Sequence, residues 1–331
     1  METESRSVNG ITGFFKSILR IREIPLLLFI ILMMIVLSVL SPAFFQAANF
    51  LSLARGFAIE GTTLISMTML LVSGVFDLSV GSVMALSGVI CSMLMVAKVP
   101  LPLAILGGLA VGAFCGTFNA FIITRFNINP FIVTFAMLAI ARSVAQAITE
   151  SNPIRVNNEA FSFMGVGLVG GIPVGFILVI ILALIADFAM RRIRFFRQLY
   201  FIGGNEAGAQ LIGINTKKVR FIAYILSGLL AAWGGILSSA RLSGAVPNAY
   251  IGIELKLIVA AVVGGATLKG GEGTIAGSML GLVFLFFLSN AMTLLGVNIY
   301  WEYFFYGAFL IGVVLYNTFN SGRLSKRQRS L

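Results

Sequence analysis

Long apolar runs and short polar breaks alternate along this chain. Ten runs predict membrane-spanning helices, near 25–41, 57–73, 78–97, 101–124, 131–149, 172–190, 220–240, 254–268, 274–295 and 299–318. A straight helix needs roughly 20 apolar residues to cross a bilayer. Several runs fall short of that, so some spans should be broken, tilted or partly inserted. Two glycine-rich breaks stand out, SGVFDLSVGS at 73–82 and GGATLKGGEG at 264–273. Non-helical backbone cannot face lipid with its polar groups unpaired. Each break therefore lines a wet cavity or makes a tight turn between closely packed helices, and both readings are open.

The longest polar stretch between apolar runs is RRIRFFRQLYFIGGNEAGAQLIGINTKKVR at 191–220, with seven Lys/Arg and one acid. Gly203 and Gly204 signal a turn. Asn205 is placed to cap a helix by accepting a backbone N–H bond, and Glu206 falls in the first turn, where the helix dipole favours a carboxylate. Gly213, after Leu211 and Ile212, is a plausible stop. The result is a helix of about two turns, too short to hold itself in water. It needs a host surface, either the bilayer or another protein.

The chain accordingly divides into a basic arm (1–24), a first membrane half (25–190), a polar loop (191–219), a second membrane half (220–318) and a basic tail (319–331). The fold class is an all-α polytopic membrane protein of about ten transmembrane helices. A weak repeat suggests five plus five inverted spans. Asp77-Leu78 with Gly88 echoes Glu254-Leu255 with Gly265, and Asn119-Ala120 with Asn127 echoes Asn290-Ala291 with Asn298.

Composition agrees with the pattern. Of 331 residues, 59% are hydrophobic and 11% charged, and mean hydropathy is +1.02. The net charge of +11 does not point to nucleic acid, because the basic residues lie between and beside apolar runs. Seventeen fall on the side of the N-terminus and five on the other, with Arg142 inside a span. That bias predicts cytoplasmic N- and C-termini and a cytoplasmic 191–219 loop. The segment 150–171 is then external. Cys91 and Cys115 lie in spans and are expected to pack, without a disulfide. No histidine is present, which removes the commonest metal ligand, and no metal is expected.

Ionisable and amide groups within spans need a reason, since a charge at mid-membrane costs about 2.5–3.5 kcal/mol on insertion scales. Asp77, with Ser79 and Ser82, either caps the helix after the first break or shapes a gate. Glu254 mirrors it at the outer end of a short span. Arg142 is expected to pair with Glu60, and Asp187 to reach an interface. Asn119 and Asn290 either join helices or face a pathway. No G-x-x-x-x-G-K-[ST] loop, H-E-x-x-H or G-x-S-x-G is present. The chain is therefore not expected to be an enzyme, and any ATP chemistry must sit on another chain.

Four motifs carry a resemblance. FDLSVGSVMALSG (76–88), NPFIVTFAMLAIAR (129–142), YFIGGNEAGAQLIGI (200–214) and ELKLIVAAVVGGATLKGGEGTIAGSMLG (254–281) occur in order. Together they resemble the permeases of ribose-type sugar ABC transporters. Departures are Val75-Phe76 for Gly-Ile, Ser66 for Gly, Gly208 for Ala, and Lys256 for a small or acidic residue. The resemblance implies a permease dimer, homomeric or heteromeric, in the bacterial inner membrane. It further implies two cytoplasmic ATPase domains, an external substrate-binding protein and alternating access, with ATP bound only by the partner. It makes 205–213 the coupling helix on the ATPase. Another small solute, such as a branched-chain amino acid or a signalling molecule, is an alternative cargo; an ion-coupled transporter working alone is a rival class.

Overall fold

The computed structural model describes residues 24–298, 300–312 and 315. The predicted arm, the tail and part of the tenth span lie outside them. Twelve helices are defined among the described residues: α1 (Ile24–Leu40), α2 (Ala47–Val72), α3 (Val80–Val96), α4 (Leu101–Phe126), α5 (Pro130–Thr149), α6 (Glu159–Val166), α7 (Val174–Arg192), α8 (Arg194–Gly204), α9 (Glu206–Leu211), α10 (Thr216–Arg241), α11 (Ile253–Val263) and α12 (Ile275–Leu294). Residues 300–312 are also helical. Two small antiparallel pairings complete it: β1 (Ile154–Arg155) with β4 (Gly244–Ala245), and β2 (Leu168–Val169) with β3 (Ile172–Pro173).

The molecule is an all-α membrane protein. Among the described residues, five helices, α4, α5, α7, α10 and α12, are long and apolar enough to cross a bilayer. α1 buries only Ile30 and Leu37, one heptad apart, and leaves Leu28, Leu32, Ile35 and Val39 exposed. A helix apolar on every face but buried on one stripe is a lipid-facing helix.

α2 and α10 are the central posts. α2 is buried without interruption from Gly61 to Val72. It starts at Ala47, ten residues before the expected span at 57. The first turns carry Asn49, Ser52 and Arg55, and those polar groups hid their helical character.

Lipid tails are as apolar as leucine, so close backbone approach replaces the hydrophobic effect in joining spans. Gly108, Gly112 and Gly116 recur every four residues on α4. A Cβ at Gly112 would lie 2.2 Å from the Gly228 carbonyl oxygen of α10, and one at Gly116 would lie 2.4 Å from that of Tyr224. α3 joins the same stack through Gly88, where a Cβ would lie 2.4 Å from Ser239 Oγ. The four-residue glycine spacing is the sequence signal for this close approach.

α11 has 11 residues. At 1.5 Å per residue it spans about 16 Å, half a bilayer core. The span expected at 254–268 is thus a half-helix, ended by Gly264 and Gly265 (φ +102°).

Candidate functional site

α8 lies between α7 and α9 with Leu199 and Ile202 buried. Asn205 adopts an extended conformation, and its Oδ1 accepts from the Gly208 N–H at 2.9 Å. That cap starts α9, with Glu206 in its first turn. Gly213 at φ +84° ends the segment, and Ile214 N–H turns back to the Ala209 carbonyl at 3.0 Å. Asn215 then caps α10 by accepting from Lys218 N–H at 3.0 Å. Leu211 and Ile212 are 89% and 69% exposed.

Behind α9, three glycine segments distant in sequence meet backbone to backbone. A Cβ on Gly203 would lie 2.0 Å from the Val72 carbonyl oxygen and 2.5 Å from the Gly271 nitrogen. One on Gly270 would lie 2.7 Å from the Gly74 nitrogen and 2.8 Å from Gly203 Cα. Gly271 N–H donates to Val72 O at 2.8 Å, tying the second break to the end of α2. Arg220 clasps the junction: it donates to Glu206 Oε1 at 2.8 Å and to the Ser73 carbonyl at 3.2 Å. Tyr200 donates to the Gly273 carbonyl at 2.8 Å. Burial raises the Tyr200 pKa, which keeps the hydroxyl a donor. Gly203, Gly204, Asn205, Glu206, Leu211 and Gly213 therefore occupy one unit. Arg220 and Tyr200 belong to it too, although the sequence offered only their charge and aromaticity.

The first break climbs from this junction into the bundle. Asp77, 2% exposed, ends the climb. Its Oδ1 accepts from Ser79 N–H at 2.9 Å and Ser79 Oγ at 2.6 Å, and its Oδ2 accepts from Ser227 Oγ at 2.9 Å. Asn119 donates to Ser79 Oγ at 3.1 Å, which joins α4 to the break. Tyr224 donates to the Phe76 carbonyl at 3.1 Å. Ser82 is buried one turn on, and its hydroxyl has no partner among the described residues. Ser227 sits 11 residues into α10, about 16 Å along it, so α3 begins deep in the bundle. This buried network predicts a sharp difference between two variants. Asp77→Ala removes three accepted bonds and should destabilise the fold by about 3–5 kcal/mol, read as a lower melting temperature in detergent. Asp77→Asn keeps one acceptor oxygen and the volume, and should cost less than half as much.

α11 begins beside the start of α3. A Cβ on Gly81 would lie 2.4 Å from the Tyr250 carbonyl oxygen and 3.1 Å from Glu254 Oε2. Glu254 thus stands in the first turn of α11, at one end of that short span, where it meets the start of α3. Residues 246–252 turn after β4, with Tyr250 and Gly252 at positive φ, and bring Glu254 to that point. Arg142 does not pair with Glu60. It donates to the carbonyls of Pro247 and Ala249 at 2.8 and 2.6 Å, and its charge faces Glu254. Glu60 instead pairs with Lys256 at 2.9 Å. Lys256 is thereby explained as the partner of a buried carboxylate. Asn290 lies apart from this group, in a reciprocal amide pair with Asn49 (3.1 and 2.7 Å) that joins α12 to α2. Asp187 bonds Arg191 one turn along at 2.7 Å. Cys91 and Cys115 are buried and free.

Comparison with known proteins fits this architecture. Residues 49–314 match the family model described as "Branched-chain amino acid transport system / permease component". The chain is 34% identical over 302 residues to the ribose import permease protein RbsC of Escherichia coli (strain K12), covering 90% of this chain and 94% of that protein. It is 36% identical over 286 residues to RbsC of Bacillus subtilis (strain 168), covering 86% and 89%. It is 31% identical over 283 residues to the L-arabinose ABC transporter permease protein AraH of Azospirillum brasilense, covering 86% and 84%. With α11 meeting the start of α3 inside the bundle, a glycine junction close by and this likeness over most of its length, the chain belongs to the ribose-type family of ABC transporter permeases.

Proposed function

We propose that this chain is the membrane-spanning subunit of a sugar-importing ABC system, driven by a separate ATPase through α9. The observation that carries the reading is the continuous backbone path behind α9. The cap and first turn of α9 adjoin Gly203 and Gly204, which rest on both breaks. The first break leads over nine residues from Ser73 to Gly81, where α3 meets the start of α11. Close-packed backbone transmits displacement because it has no side chains to yield. A push on α9 thus reaches the meeting point of α3 and α11 without a soft link.

In this reading α9 is the coupling helix, and its exposed Leu211 and Ile212 enter a groove on the ATPase. The chain works as a permease dimer, and an external binding protein delivers the solute. ATP binding draws the two α9 helices together and reorients α3 and α11 around Asp77, Ser79, Ser82 and Glu254. Asn119 and Asn290 hold neighbouring helices in register. The basic loop faces the cytoplasm, as do both termini. The chain crosses the membrane ten times in two inverted halves. The two 26-residue posts, α2 and α10, each followed by a non-helical stretch and a shorter helix, support that repeat. The alternative is a branched-chain amino acid as cargo. The relatives named for ribose and arabinose favour the sugar.

Reconstitution with the cognate ATPase and binding protein tests this. ATP-dependent uptake of D-ribose or L-arabinose, lost without either partner, is expected. Uptake of L-leucine alone, or of any solute on an ion gradient without ATPase, would refute it.

A further inference from the structure

A cavity of about 310 Å³ opens between α2, residues 248–253, the first turn of α11 and the start of the last helical segment. It lies level with the middle of α2, since Glu60 is 12 residues from Val72, about 18 Å from the end that meets the α9 junction. Its lining brings together Glu60, Lys256 and Glu302 with Asn248, Tyr303 and Tyr306. None of these belongs to the α9 junction or the Asp77 network.

The wall is built and not incidental. Lys256 Nζ is held by Glu60 at 2.9 Å, with both side chains mostly buried, and lies 4.4 Å from the Phe286 ring centroid. Tyr306 donates to the Glu302 carboxylate. Tyr303 donates to the Ile251 carbonyl at 3.1 Å and lies against Gly252, where a Cβ would come within 2.9 Å of its ring. Asn248 accepts from Gln146 on its oxygen, so its amide nitrogen is left to donate elsewhere.

Two carboxylates and one ammonium line the cavity, an excess of one negative charge. Carboxylates accept bonds from hydroxyls, the ammonium and the amide donate, and a tyrosine ring covers apolar C–H faces. That set matches a neutral polyol and repels an anion, because like charges in a partly dehydrated site interact strongly. The volume is at the small end of the roughly 300–1,000 Å³ of small-molecule pockets. A site on a conduction path must also release what it binds, and an open polar cavity without deep enclosure does so.

We propose that this cavity is a low-affinity subsite for a neutral monosaccharide, with Glu302, Lys256 and Asn248 engaging its hydroxyls and Tyr303 covering its apolar face. The proposal deepens the sugar reading above and rests on it. It adds a prediction that reading does not make: the chain itself discriminates against phosphorylated sugars.

Saturation-transfer NMR on the full chain in lipid nanodiscs tests it, with D-ribose and D-ribose 5-phosphate as millimolar probes. D-ribose should give signal and the phosphate none. Glu302→Gln keeps the volume and an acceptor for Tyr306. It should weaken D-ribose binding about tenfold, the scale of one charge-assisted hydrogen bond, and relax the rejection of the phosphate. Asn248→Ala, on a different segment, should also weaken D-ribose and guards against a folding defect in the first variant. Equal binding of the two probes, or D-ribose binding unchanged in both variants, overturns the subsite. Absence of D-ribose signal while reconstituted D-ribose uptake persists overturns the subsite and leaves the sugar reading standing. Absence of signal together with absence of sugar uptake overturns both.

Discussion

Leu211→Asp should strip the ATPase subunit from the solubilised complex while the permease itself still inserts and folds. Leu211 is 89% exposed and Ile212 69% exposed, at the end of a helix whose cap and stop are local. No core contact of the chain depends on that side chain, so its removal should leave the melting temperature within about 1 °C of the parent. Full burial of a leucine in a partner groove contributes about 1.5–3 kcal/mol. A carboxylate in the same groove must also be desolvated without a partner, which costs further. The combined change should weaken ATPase binding on the order of 100-fold or more. Co-purification from detergent measures it. Wild-type amounts of ATPase on the Leu211→Asp chain, with normal uptake, would mean that α9 is not the contact.

Gly203→Val should abolish transport, whereas Gly204→Ala should be nearly silent. The two residues are adjacent, which makes them a matched pair. A Cβ at Gly203 meets the Val72 oxygen at 2.0 Å, the Gly271 nitrogen at 2.5 Å and Gly270 Cα at 3.0 Å, all backbone. A Cβ at Gly204 meets nothing within 4 Å. Overpacking against side chains costs typically 1–3 kcal/mol, and backbone yields less readily. The Gly203 variant should therefore part α8 from both breaks and cut ATP-driven uptake by more than about tenfold. Amide hydrogen exchange should rise at 73–79 and 264–274. Transport by Gly203→Ala or Gly203→Val at the level of Gly204→Ala would show that the glycine junction carries no stroke.

The sequence was most informative where structure is local. Capping depends on residues three or four positions apart, so Asn205, Glu206 and Gly213 predicted α9 correctly from their order alone. Apolar runs placed the helices for the same reason, because lipid selects side chains one helix at a time. The reading failed where a charge had to choose between distant partners. Arg142 and Glu60 lie in helices expected to be neighbours, yet Lys256 takes Glu60 and a folded-back loop takes Arg142. Nothing near either residue in sequence encodes that choice. Glycine spacing on α4 encoded a close approach, but not that α10 would supply the other side.

From the sequence alone came the class of molecule, its polar midpoint, the small capped helix and the places where the spans break. Those follow from hydropathy, charge and turn chemistry, which act over a few residues. The folded chain alone decided that Gly203, the first break and the second break share one junction, that α3 and α11 start side by side, and that Glu60, Lys256 and Glu302 line one open cavity. These are contacts between segments up to about 240 residues apart, as between Glu60 and Glu302. They are set by which backbones can approach closely, a property of pairs of helices that no single stretch contains.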